Sequence, residues 1–74
     1  MKSIRIEPAA GGRTLRIDVV CDCGNNGLVD EISGEESFKH EVKLGVEQDK
    51  ILTCSCGKKY RLHPQGTHIH VFSE

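Results

Sequence analysis

All four cysteines of this 74-residue chain lie inside two copies of one short pattern, VVCDCGNNG and LTCSCGKKY. In both copies apolar or β-branched residues lead into Cys-x-Cys-Gly, and the glycine stands directly after the second cysteine. A tetrahedral metal site takes four ligands, and thiolates suit a borderline-soft ion such as zinc. Two pairs supply that number. Thirty residues lie between Cys23 and Cys54, enough for the chain to run out along one strand and return along another. The glycines fit the same reading. A tight turn after the second cysteine needs positive φ, which Gly24 and Gly57 reach without a Cβ penalty. Backbone N–H groups in such a turn can then point at the sulfurs and stabilise their charge.

A chain this short forms one domain, residues 1–74, and buries only roughly 60% of the surface its unfolded form exposes. With 36% hydrophobic residues, 4% aromatic residues and no tryptophan, an aliphatic core alone would be marginal. A staple is expected, and the cysteines are the candidates for it. MKSIRIEP has no apolar run behind its charges, so neither a signal peptide nor a membrane span is expected and the chain is placed in the reducing cytoplasm. There, paired cysteines read as metal binding or redox chemistry sooner than as a disulfide framework.

The spacing of apolar residues points to a small, mostly-β fold. Ile4 and Ile6 alternate with polar residues, as do Leu15, Ile17 and Val19; with PAAGGR between them, residues 2–7 and 13–20 are expected to form an antiparallel hairpin. Continuing the alternation puts Cys21 on the apolar face at a strand end. GNNG is a turn, and LVDEIS returns as a short strand. Across 35–44, Phe38 and Val42 with Gly45 following would suit a short helix, but the alternation of Val42, Leu44 and Val46 favours a strand. DKILT leads into the second pattern, YRLH leads away from it, and THIHVF closes the chain as another strand, with Pro64 and Gly66 separating the last two.

CDCG at 21–24 and CSCG at 54–57, each between strand-like segments, resemble the two knuckles of the zinc ribbon, or rubredoxin-like, fold group. That group usually reads Cys-x-x-Cys-Gly, one residue longer per knuckle. The resemblance covers about half of the chain and implies antiparallel hairpins stapled by one Zn2+, with Cys21, Cys23, Cys54 and Cys56 as ligands and Gly24 and Gly57 as turn glycines. It identifies no activity. Besides structural zinc, the same residues allow thiol redox chemistry, an iron site or disulfides. Catalytic zinc is disfavoured, since such sites keep an open position and often use histidine or carboxylate.

The remaining candidates are surface features. The formal net charge of −1 is unevenly spread: residues 22–49 hold two bases and eight acids, while residues 50–74 hold four bases and one acid. Asp30, Glu31, Glu35 and Glu36 offer an acidic face to a protein partner. Lys58, Lys59 and Arg61 could hold phosphates while Tyr60 stacks on a base, as in single-strand nucleic-acid binding; otherwise the lysines offset thiolate charge and Tyr60 packs beside the site. His68 and His70 share a strand face and could bind a second metal, whereas His40 and His63 read as surface or hydrogen-bonding residues. No glycine-rich phosphate loop or nucleophile with its base is present, so no enzyme and no small-molecule substrate are expected. The expected role is a non-enzymatic protein-interaction module or regulatory adaptor, with nucleic-acid binding as the alternative and thiol redox as a weaker one.

Overall fold

The structure, a computed structural model, describes residues 1–9, 11–46 and 48–74. Eight strands run β1 Ser3–Pro8, β2 Thr14–Val20, β3 Leu28–Asp30, β4 Glu36–Ser37, β5 His40–Lys43, β6 Lys50–Thr53, β7 Lys59–Gln65 and β8 His68–Ser73. They form two antiparallel sheets, one ordered β1-β2-β5 and the other β4-β3-β6-β7-β8. There is no helix among the described residues, and hence none long and apolar enough to cross a membrane.

The expected hairpin is present, with Ile4 opposite Val19 and Ile6 opposite Ile17. This register puts the apolar residues of both strands on one face, and β5 extends that face by setting His40 opposite Ile17 and Val42 opposite Leu15. The larger sheet answers with its own inner face. Leu52 lies opposite Tyr60, Lys50 opposite Leu62, and Asp30 opposite Leu52. Ile17, Val19, Val42, Leu28, Leu52, Tyr60 and Leu62 pack with Cys21 and Cys54 into one core, flanked by Ile4, Ile69 and Val71.

Three expectations are corrected. Residues 35–44 form neither a helix nor a continuous strand. β5 stops at Lys43; the Leu44 N–H still bonds the Arg13 carbonyl in the same register, and the chain turns away at Gly45, φ 85°. Phe38 and Val46 are exposed, because the chain leaves the sheet on either side of His40–Lys43. LVDEIS contributes only Leu28–Asp30 as strand, since the Asp30 carboxylate accepts the Ile32 N–H at 2.9 Å and the chain turns there. Pro64 does not separate the last two strands; it lies within β7, buried, opposite Ile69. Its missing N–H faces the β6 side of the strand, and β6 has already ended where Lys50 meets Leu62, so no ladder bond is lost. Gly66, at φ 60°, makes the turn alone.

Polar groups also enter the interface between the sheets. Lys50 Nζ reaches Asp30 Oδ2 at 3.2 Å on the inner face of the larger sheet. His40 is buried, with Nε2 unpartnered, and burial lowers its pKa, so the ring is neutral.

The edge strand β1 and the central strand β2 should respond differently to truncation, although Ile6 and Ile17 share a face. Ile17→Ala removes a fully buried side chain and should cost about 2–5 kcal/mol in urea unfolding, whereas Ile6→Ala, at a site 45% exposed, should cost about 0.5 kcal/mol or less. Equal losses would mean that Ile6 on the edge strand is as well covered as Ile17 in the sheet centre, contrary to this packing.

Candidate metal centre

The two cysteine patterns fold into the same turn. In the first, the Gly24 N–H bonds the Cys21 carbonyl at 2.8 Å and the Cys21 N–H bonds the Asn25 carbonyl at 2.9 Å; in the second, Gly57 bonds Cys54 at 2.9 Å and Cys54 bonds Lys58 at 2.9 Å. This is a three-residue loop in which a β-turn is followed by a left-handed residue. Gly24 at φ 90° and Gly57 at φ 98° fill that position. The spacing Cys-x-Cys-Gly thus encodes the turn, and the turn puts both thiols of a pair on its tip.

The fold brings the tips together. The first turn ends β2 in the smaller sheet, and the second joins β6 to β7 in the larger one, so the cysteines meet across the interface. All four sulfurs lie within 4.8 Å of one another. Cys21 Sγ is 3.4 Å from Cys56 Sγ, and Cys23 Sγ is 3.4 Å from Cys54 Sγ. These distances are far beyond a disulfide bond of about 2.05 Å. They bracket the edge of about 3.8 Å of a sulfur tetrahedron with metal–sulfur bonds of about 2.3 Å. The arrangement is that of a binding site for one metal ion.

The arrangement is two-fold in character. The first cysteine of each turn, Cys21 or Cys54, is buried, and the second, Cys23 or Cys56, is exposed. Water can solvate the exposed sulfurs, so the protein must supply donors to the buried ones. Tyr60 Oη donates to Cys21 Sγ at 3.3 Å, and Asn25 Nδ2 donates to Cys54 Sγ at 3.5 Å. The Asp22 N–H in turn donates to Tyr60 Oη at 3.4 Å, which ties the phenol to the first turn.

Charge within the cluster divides along the same lines. The Tyr60 hydroxyl foremost lowers the Cys21 pKa, and the Cys56 amide foremost brings Cys54 down to about 6. At Cys56 the Lys58 amide pulls downward, but hydrogen bonds with Cys21 and Cys54 outweigh it and push the thiol up to about 12. Cys23 is likewise raised: the Asn25 amide opposes the shift, and its sulfur neighbours prevail. Without a cation, four thiolates at this separation repel one another and two must keep their protons. A divalent ion would remove that conflict.

The other candidate residues separate. Tyr60 is fully buried on the inner face of β7, so its ring presents no surface for a base to stack on. Lys59 and Arg61 lie on the opposite face, and Lys58 on the second turn. Each is ion-paired: Lys58 with Asp22 at 2.7 Å, Lys59 with Glu31 at 2.9 Å, and Arg61 with Asp49 at 2.9 Å and Glu74 at 2.8 Å. The acidic run also divides. Asp30 points inward to Lys50, Glu31 is held by Lys59, and Glu35 and Glu36 are exposed. His68 and His70 occupy the outer face of β8, where His70 lies opposite His63 rather than beside a third ligand from the cysteine cluster.

Sequence reasoning missed Asn25 as a donor to sulfur and Asp22 as the partner of Lys58. Asn25 could have been suspected from its place directly after the turn glycine. The inward direction of Tyr60 was available from its period-two spacing with Leu62.

A scan against protein-family models and searches of curated proteins and of solved structures found no match to this chain. The likeness to zinc ribbons rests on the two turns and their geometry alone.

The Cys54 pKa of about 6 in the folded chain lies below the ordinary 9.0, so its thiolate favours the folded form fully above pH 9.0 and loses that effect as pH falls toward about 6. Tyr60→Phe should weaken metal binding by about 10–100-fold in a competition with a chromophoric chelator, as removal of a partner that orients a ligand does. An unchanged affinity would deny Tyr60 that role.

Proposed function

We propose that this chain is a non-enzymatic zinc-binding domain that acts as a protein-interaction module. The observation that carries the metal assignment is the convergence of four cysteine sulfurs, within 4.8 Å of one another, from two identical turns. Four thiolates with no histidine, carboxylate or open position among them suit structural zinc. Cys21, Cys23, Cys54 and Cys56 would hold the ion, which would neutralise their charge and link the two sheets.

The interaction role is supported by the segment around β4. Ile32 is 65% exposed and Phe38 62% exposed, beside the exposed carboxylates of Glu35 and Glu36. An apolar and acidic surface of this kind suits a partner with a basic rim around an apolar patch. Nucleic-acid binding has less support, because Tyr60 is buried and each base of the 58–61 segment already faces a carboxylate.

Purified, reduced protein should contain one zinc ion per chain by elemental analysis. Structural zinc contributes on the order of 10–16 kcal/mol of apparent binding energy near neutral pH, comparable to or above the whole stability of a small domain. Chelation or Cys54→Ser should therefore unfold the chain, as read by loss of amide dispersion. Folded protein with zinc content near zero would refute the assignment.

Reversing Glu35 and Glu36 to lysine should reduce capture of a basic partner while zinc content stays at one per chain. Salt-sensitive binding to single-stranded RNA or DNA that is lost when Lys58, Lys59 and Arg61 are neutralised, and that this reversal does not weaken, would instead establish the nucleic-acid reading.

A further inference from the structure

We propose that the outer face of the β7–β8 hairpin holds a second site, for a divalent transition-metal ion, with His63 and His70 as its ligands, His68 as a third imidazole and Asp49 positioning His63. The two principal ligands are directly opposed in the β7–β8 register. Lys59 and Glu74 exchange backbone bonds at 3.3 and 2.8 Å, so every second pair along the ladder, including His63 and His70, is of the hydrogen-bonded type with Cα atoms about 5.5 Å apart. Side chains of such a pair stand on one face of the sheet. The ring centres are 6.5 Å apart. Two imidazole–metal bonds of about 2.0–2.1 Å place ring centres at most about 6.5 Å apart, so one ion fits between them after rotation of exposed side chains.

His63 is already oriented for ligation. Its Nδ1 lies 2.5 Å from Asp49 Oδ1, while Arg61 Nη1 holds the other carboxylate oxygen at 2.9 Å. An Nδ1–H donated to a carboxylate leaves the Nε2 lone pair free, and this carboxylate–histidine arrangement fixes the tautomer and the ring orientation of a metal ligand. His70 is steadied from the other side by Phe72, whose ring is stacked with it at 6.4 Å between centroids. His68 precedes His70 by two residues on the same face and lies opposite Gln65, which puts it diagonal to His63, a separation of about 7–8 Å that a long side chain spans. All three imidazoles reach solvent, so water can complete the coordination. Imidazole donors select Zn2+, Cu2+ and Ni2+ and discriminate against Mg2+ and Ca2+.

This site is separate from the cysteine cluster and does not depend on which metal that cluster holds. The test uses the full chain with its cysteine site loaded with zinc, titrated with Ni2+ in a calorimeter and by imidazole nitrogen–proton NMR correlation. One Ni2+ should bind per chain, paramagnetic broadening should reach His63 and His70 first and leave His40 sharp, and the zinc content should not change. Asp49→Asn should weaken Ni2+ binding by about 10–100-fold, and His70→Asn by at least as much. Mg2+ should produce no response. Broadening that spares His63 and His70 in the unaltered protein would overturn the proposal without recourse to any variant, as would equal Ni2+ affinity in the unaltered chain and a His63→Asn, His70→Asn double variant.

Discussion

The fold depends on two buried sulfurs, Cys21 and Cys54, arriving at one point from different sheets. Each ends a strand whose inner face is apolar, and each is the first residue of a turn that brings a second, exposed sulfur back toward the other pair. Four groups that would each carry negative charge are thereby held within 4.8 Å. That is unfavourable unless a cation sits among them, and very favourable when one does. The small aliphatic core on which both sheets pack therefore need not be sufficient by itself. It has to align β2 with the β6–β7 hairpin, and the ion completes the connection.

The surroundings of the sulfurs follow from their burial. Cys21 and Cys54 have lost water, and each has a side-chain donor in its place, Tyr60 for one and Asn25 for the other. Cys23 and Cys56 remain exposed and need none. The salt bridge from Lys58 to Asp22 spans the two turn tips outside this cluster, and Lys58 foremost lowers the Asp22 carboxyl to about 2. The basic segment after the second turn is thus a structural part of the centre: one lysine joins the turns, one tyrosine donates to sulfur, and Lys59 and Arg61 pair with acids on the outer face.

Much of this arrangement was legible in the sequence because it is local. Cys-x-Cys-Gly specifies a turn through the glycine's positive φ, and the period-two pattern of TLRIDVV fixes which way Cys21 points. What was not legible depends on where strands stop and on which strands pair. Val42, Leu44 and Val46 alternate, yet only Val42 is in a strand: the Leu44 N–H makes the last rung of the ladder to the Arg13 carbonyl, and Gly45 at φ 85° then turns the chain away before Val46. Pro64 reads as a breaker until the end of β6 is known, two residues short of it in register. Likewise, the pairing of His70 with His63, and of Arg61 with Asp49, is a property of strand register that residue spacing alone does not reveal.

The central claim is that one ion with four sulfur ligands joins the two sheets. X-ray absorption at the metal edge of the natively purified protein, with the histidine face left unloaded, reads the ligand shell directly. The account predicts a single shell of four sulfurs at about 2.3 Å with no nitrogen or oxygen component. A shell dominated by nitrogen or oxygen at about 2.0–2.1 Å, or no bound metal in the folded protein, would contradict it.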